Sequence, residues 1–121
     1  MTSSQQDWAR PVVHWAIEAR DTEVIKRFYG ELFSWEIEGE PGFFSIEAGL
    51  GGPEPGPGGH IEGGGGSRIH LYVQVRSIPE TLERVPGLGG TVAGEAFDVP
   101  GGPTICPIDD PEGNRIVLVQ Q

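Results

Sequence analysis

The chain of 121 residues is short of four things, and each absence narrows what it can be. It has a single cysteine, Cys106. That excludes an internal disulfide and fits a reducing compartment. It has only 8 Lys and Arg against 18 Asp and Glu, a formal net charge of −10, with no basic run. Nucleic acid and anionic membranes are therefore poor partners. No apolar run approaches the roughly 20 residues that span a bilayer, and the polar stretch Met1 to Arg10 lacks the apolar centre of a secretory signal. The expectation is a soluble, cytoplasmic protein. A phosphate loop is also missing. No G-x-x-x-x-G-K-[ST] occurs, and Gly63 to Gly66 leads into a strand rather than a helix.

What is present argues for one folded domain. The length suits a single core that needs no staples. The 20 glycines and 11 prolines cluster in turns and in the stretch Gly49 to Gly59, with periodic apolar segments between them. Gly49 to Gly59 reads as a loop, either passive or a flap over a cleft. Trp8 is an aromatic in an otherwise loose arm.

One pattern is used twice. Val13-His14-Trp15-Ala16-Ile17-Glu18-Ala19-Arg20 aligns without a gap with Ile69-His70-Leu71-Tyr72-Val73-Gln74-Val75-Arg76, 56 positions later. Each copy reads as a strand that runs into a helix start. Strand alternation puts Val13, Trp15 and Ile17 on the core face and His14, Ala16 and Glu18 on the other. In the second copy Ile69, Leu71, Val73 and Val75 face the core, while His70, Tyr72 and Gln74 do not. Asp21 is placed to cap the first helix. Its apolar stripe is Val24, Phe28 and Leu32, with Ile25, Tyr29 and Phe33 beside it. Ser77-Ile78-Pro79-Glu80 is a capping box for the second helix. Strands follow at 35–38, 43–48 and 60–62, then at 91–95, 104–108 and 115–120. Asp109 to Asn114 forms a tight hairpin in which Gly113 takes a positive φ. The order is strand, helix, three strands, twice over.

This order resembles the vicinal oxygen chelate superfamily, which includes glyoxalase I, bleomycin-resistance proteins and extradiol dioxygenases. The resemblance covers about Arg10 to Gln120. It rests on His14 before Arg20-Asp21, Phe28-Tyr29, Leu32-Phe33-Ser34-Trp35, Tyr72-Val73-Gln74-Val75, Leu88-Gly89-Gly90, and Asp110-Pro111-Glu112-Gly113-Asn114 before a final strand. The implied fold is α+β: two βαβββ modules, about 11–62 and 69–120, forming a curved, mostly antiparallel sheet around a concave site. The chain looks most like the small glyoxalase-like bacterial members.

The resemblance also implies a ligand set. His14, His60 and His70 fall on strand positions that metal-dependent members use. The fourth position lands on Val117, which has no ligand atom. Three imidazoles with an open water position make a workable site for Zn, Fe, Ni, Co or Mn. Such an ion acts as a Lewis acid on a small oxygenated substrate, in an isomerase, lyase or oxygenase. Glu62, two residues after His60, is the first candidate for the base, and Glu18, two after His14, is the second. Tyr72 and Gln74 share the His70 face and can orient a substrate. A metal-free protein that binds a small molecule or antibiotic, or a metal-free acid–base enzyme, is the alternative. A homodimer is expected. Cys106, followed by Pro107, reads as a packing residue rather than a nucleophile.

Overall fold

The computed structural model describes residues 9–48, 56–66 and 68–121. Trp8 and most of the Gly49 to Gly59 loop lie outside these. The elements run β1 Val12–Ala19, α1 Thr22–Phe33, β2 Ile37–Glu40, β3 Phe43–Ile46, β4 Gly59–Gly63, β5 Arg68–Gln74, α2 Ile78–Arg84, a 3-10 turn at Pro86–Leu88, β6 Thr91–Val92, β7 Phe97–Asp98, β8 Thr104–Asp109 and β9 Arg115–Gln120. The fold is α+β, with one sheet of nine strands in the order β2-β3-β4-β1-β5-β9-β8-β6 and β7 also on β8. The modules join where β1 and β5 pair antiparallel. Pairing is parallel only within modules, β1 with β4 and β5 with β9.

The capping signals work as expected. Asp21 accepts from the Val24 N–H at 3.2 Å, and Ser77 Oγ accepts from the Glu80 N–H at 3.2 Å. Ser34 ends α1 in the left-handed region at φ 60°. Asp110 Oδ1 accepts from the Glu112 and Asn114 N–H groups, both at 2.9 Å, and Gly113 sits at φ 90°.

Each module buries its own cluster beneath its helix. The first contains Ile17, Ala19, Phe44, Ile46 and Ile61, packed by Ile25 and Tyr29 of α1. The second contains Val75, Ile78, Cys106 and Leu118, packed by Leu82 of α2. Cys106 is fully buried, and burial pushes its thiol above the usual range, which makes it inert packing.

Several expectations need correction. The α1 stripe is split. Ile25 and Tyr29 pack, whereas Val24, Phe28 and Leu32 stand 51%, 54% and 59% exposed. The apolar arc is wider than the contact one sheet offers, so its outer edge is left uncovered. Ile69 and Leu71 are exposed for a related reason: they lie in the middle of the sheet, and each helix covers only its own module. Val13 leaves the core face because the β1–β5 register slips between Val12 and His14. That bulge turns Val13 toward the cavity described below. The strand expected over 91–95 stops after β6 at Val92, and a second short piece, β7, follows outside that range at Phe97–Asp98, both on β8. Pro107 of β8 lies between the two paired stretches and has no N–H to donate, while its ring crowds Gly94.

Candidate active site on the face opposite the helices

The histidine-bearing strands lie side by side. Ala16 pairs with His60 on one side and His70 on the other. His14 pairs with Tyr72, and Glu18 with Glu62. Alternation therefore sends His14, Glu18, His60, Glu62, His70 and Tyr72 to one face. Ala16 is the smallest side chain in this row, which leaves space between the two flanking imidazoles.

The groups form two linked sets. In the first, His14 Nε2 lies 2.8 Å from His60 Nδ1, and His60 Nε2 lies 2.7 Å from Glu62 Oε1. The Glu62 carboxyl is held below its ordinary range, first by the His60 hydrogen bond, with nearby His60 and His70 adding to it and burial opposing it. Glu62 is therefore ionised at neutral pH and accepts from His60 Nε2–H; with His60 in its neutral form, His60 Nδ1 accepts from His14 Nε2–H, and His14 Nδ1 keeps its lone pair. Burial, then the neighbouring His60, lowers the His14 pKa, so this imidazole is neutral at pH 7. Phe43 stacks on His60 with ring centroids 4.7 Å apart.

The second set lies deeper. His70 is 6% exposed. Its Nε2 comes within 3.3 Å of Glu18 Oε1 but without hydrogen-bond geometry, so that buried nitrogen has no hydrogen-bond partner among the described residues. Glu18 is fixed through its other oxygen, which accepts from the Gly66 N–H at 3.1 Å. Donor atoms of Glu18, Glu62 and His70 all lie within 4.8 Å of one another, a spacing that can hold a metal ion. Among the described residues this is the one such group of three or more His, Cys, Asp or Glu donors.

A cavity of about 530 Å³ opens over the first set. His14, His60, Glu62, Tyr72 and Phe43 line one part, and Val13, Val99, Pro103, Ile105, Val119 and Gln121 the rest. Burial, then the Glu62 charge, pushes the Tyr72 hydroxyl up to about 12, so it stays a donor. Gln74, His70 and Glu18 are not among the lining residues. Val117, 6% exposed, pairs with Tyr72 and brings only aliphatic surface. Sequence reasoning missed Phe43 and the apolar wall. Phe43 was visible as a neighbour of Glu62 only once β3 had been registered on β4, and Val99 and Pro103 come from an irregular connection that has no periodicity to read.

Two modules paired edge to edge, with titratable groups gathered on one face beside a cavity, define a paired-βαβββ protein with a small-molecule site. The glyoxalase-like domain model matches residues 14–119. The chain belongs to that family, within the vicinal oxygen chelate superfamily. No curated protein sequence matches it. Among solved structures, a glyoxalase/bleomycin resistance protein/dioxygenase superfamily member from Vibrio splendidus 12B01 is 18% identical with a TM-score of 0.64, over 93% of this chain and 100% of that one. The Mn(II)-bound glyoxalase from Novosphingobium aromaticivorans is 20% identical with a TM-score of 0.65, over 93% of this chain but 40% of that one. Methylmalonyl-CoA epimerase from Mycobacterium tuberculosis is 18% identical with a TM-score of 0.60, over 90% of this chain and 86% of that one. At these identities the likeness is one of fold.

Proposed function

We propose that the chain is a metal-assisted enzyme of the glyoxalase type that moves a proton on a small oxygenated molecule, with His14 as the base. The observation that carries this reading is the relay from Glu62 through His60 to His14, set beside the unpartnered buried nitrogen of His70. An orphaned imidazole nitrogen next to two carboxylates fits a divalent cation, because burying it unsatisfied otherwise costs about 1–3 kcal/mol. Glu18, Glu62 and His70 would hold the ion, and it would supply Lewis-acid stabilisation of developing negative charge on oxygen. A set of His14, His60 and His70 would first require His60 to turn away from Glu62. In the arrangement preferred here, His60 orients the ligand Glu62 instead.

The chain's own groups complete the chemistry. The substrate C–H beside a carbonyl breaks, its proton passes to His14 Nδ1, and the electron pair moves onto the carbonyl oxygen. His14 returns the proton to carbon. Tyr72 O–H donates a hydrogen bond to a substrate oxygen, and the aliphatic wall excludes water. The test is deuterium incorporation at the α-carbon of an uncharged α-hydroxyketone in D₂O, followed by NMR. Absence of exchange by protein loaded with Zn, Ni, Co, Fe or Mn sinks the proposal. A second reading, a metal-free acid–base enzyme, is favoured by the relay being complete from side chains alone. Exchange that survives exhaustive chelation would select it.

The homodimer is a proposal too, with a face to carry it. Val24 lies between two grooves, one shared with Ile69. Around them stand four cations, Arg20, Lys26, Arg27 and Arg68, and four carboxylates, Glu18, Asp21, Glu23 and Glu31. In a chain of net charge −10, this balanced apolar face can meet a second copy without self-repulsion.

A further inference from the structure

The chain has eight Lys and Arg, and none of them lines the cavity. Arg10, Arg76 and Arg84 border a groove beside α2. Lys26 and Arg27 stand along α1. Arg20 and Arg68 border the groove at Ile69, and Arg115 is held by Asp109 at 2.7 Å. The stretches 1–8 and 49–55 and position 67 contribute no lysine, arginine or histidine either, but do contain Asp7 and Glu54.

The cavity presents an aliphatic wall typified by Ile105 and Val119, the rings of Phe43 and Tyr72, and the Glu62 carboxylate, whose side chain is 33% exposed. Glu18 lies just behind. A divalent ion held by Glu18, Glu62 and His70 would be balanced in net charge by the two carboxylates, so it would draw the reacting oxygen at close range but leave no positive surplus to hold an anionic group elsewhere in the cavity. Without an ion, and with the neighbouring imidazoles neutral, the two carboxylates leave the floor negative. The overall charge of −10 also disfavours the approach of anions.

We infer that this cavity takes a compact, apolar substrate with no anionic group, and that it rejects phosphate- or carboxylate-bearing analogues. This rests on the proposed site but not on the proton transfer. Anion-carrying tails such as nucleotide phosphates or peptide carboxylates have no counter-charge here. An uncharged aryl or alkyl body would fill the apolar wall and point its oxygens at His14 and Tyr72. In pockets of this kind a few polar groups set orientation while apolar lining supplies most of the contact.

The test compares two probes of nearly equal shape, the ring 4-carboxamide and the ring 4-carboxylate of 2-hydroxy-1-phenylethanone. Their dissociation constants are measured by calorimetry on the full chain, metal-loaded and chelator-treated. The carboxamide should bind at least about tenfold more tightly in both states, since the carboxylate would be desolvated against the apolar wall with no cation to pair it. Gln121→Arg, at the cavity edge, should narrow that gap by raising affinity for the carboxylate. Equal binding, tighter binding of the carboxylate, or binding of neither probe overturns the inference. A clear charge preference with no deuterium exchange sinks the proton-transfer reading and leaves this one standing.

Discussion

His60→Gln tests the site at its most informative point. His60 is 7% exposed, stacked on Phe43, and holds both ends of the relay, at 2.8 Å to His14 and 2.7 Å to Glu62. Glutamine keeps much of the volume but cannot bridge both partners in this geometry. The bond to ionised Glu62 is charge-assisted, about 1.5–3 kcal/mol, and the bond to His14 is neutral, about 1 kcal/mol. Losing the tautomer control of His14 removes a positioned base, worth about 10²–10⁴ in rate. The folded state should lose roughly 1–3 kcal/mol, mainly from Glu62 left under-paired. Metal content after dialysis should persist, with affinity weakened about 10–100-fold because His60 orients a ligand without being one. The assays are deuterium exchange by NMR, metal content by mass spectrometry and urea denaturation. Exchange within threefold of the parent chain refutes the relay. Complete loss of metal, with the fold intact, returns His60 to the ligand set.

Other outcomes are equally definite. His14 must be neutral to accept a proton. Burial, then His60, lowers its pKa from 6.5, so the neutral form persists to lower pH than for a free histidine. Exchange should fall with a midpoint below 6.5, and a midpoint at or above 7 would contradict the assignment. Gly59→Ala places a Cβ 2.3 Å from the Trp15 indole, which packs on Trp35. It should cost about 1–3 kcal/mol in urea denaturation, and an unchanged midpoint would refute the packing. Phe44→Ala, at 1% exposure in the first core, should cost about 3–5 kcal/mol by the same measure. In sedimentation, the chain should run as a dimer and Val24→Asp as a monomer. A monomeric parent chain would remove the role given to the face at Val24 and Ile69.

Much of the fold was legible because it is written locally. A cap needs one side chain at one offset, so Asp21 and Ser77 could be read directly. A strand facing two environments alternates, so β1 and β5 could be placed and His14 and His70 assigned to one face. The repeat showed that two modules exist. Where expectation failed, the deciding quantity was not local. Whether Val24 or Ile25 packs depends on where α1 sits over a sheet built from four other segments. The break between β6 and β7 depends on Pro107, a residue from a different strand.

The sequence by itself determined the class of fold, the two modules, and the presence of three histidines and two carboxylates at inward strand positions. The tertiary structure decided which of these atoms meet. Strand register set His60 between His14 and Glu62, and left His70 Nε2 buried with two carboxylates nearby. Distances among side chains 46 residues apart depend on pairing across several strands, and no single strand encodes them. The charge of the cavity is likewise tertiary. The sequence contains eight cations, but only the fold places all of them elsewhere.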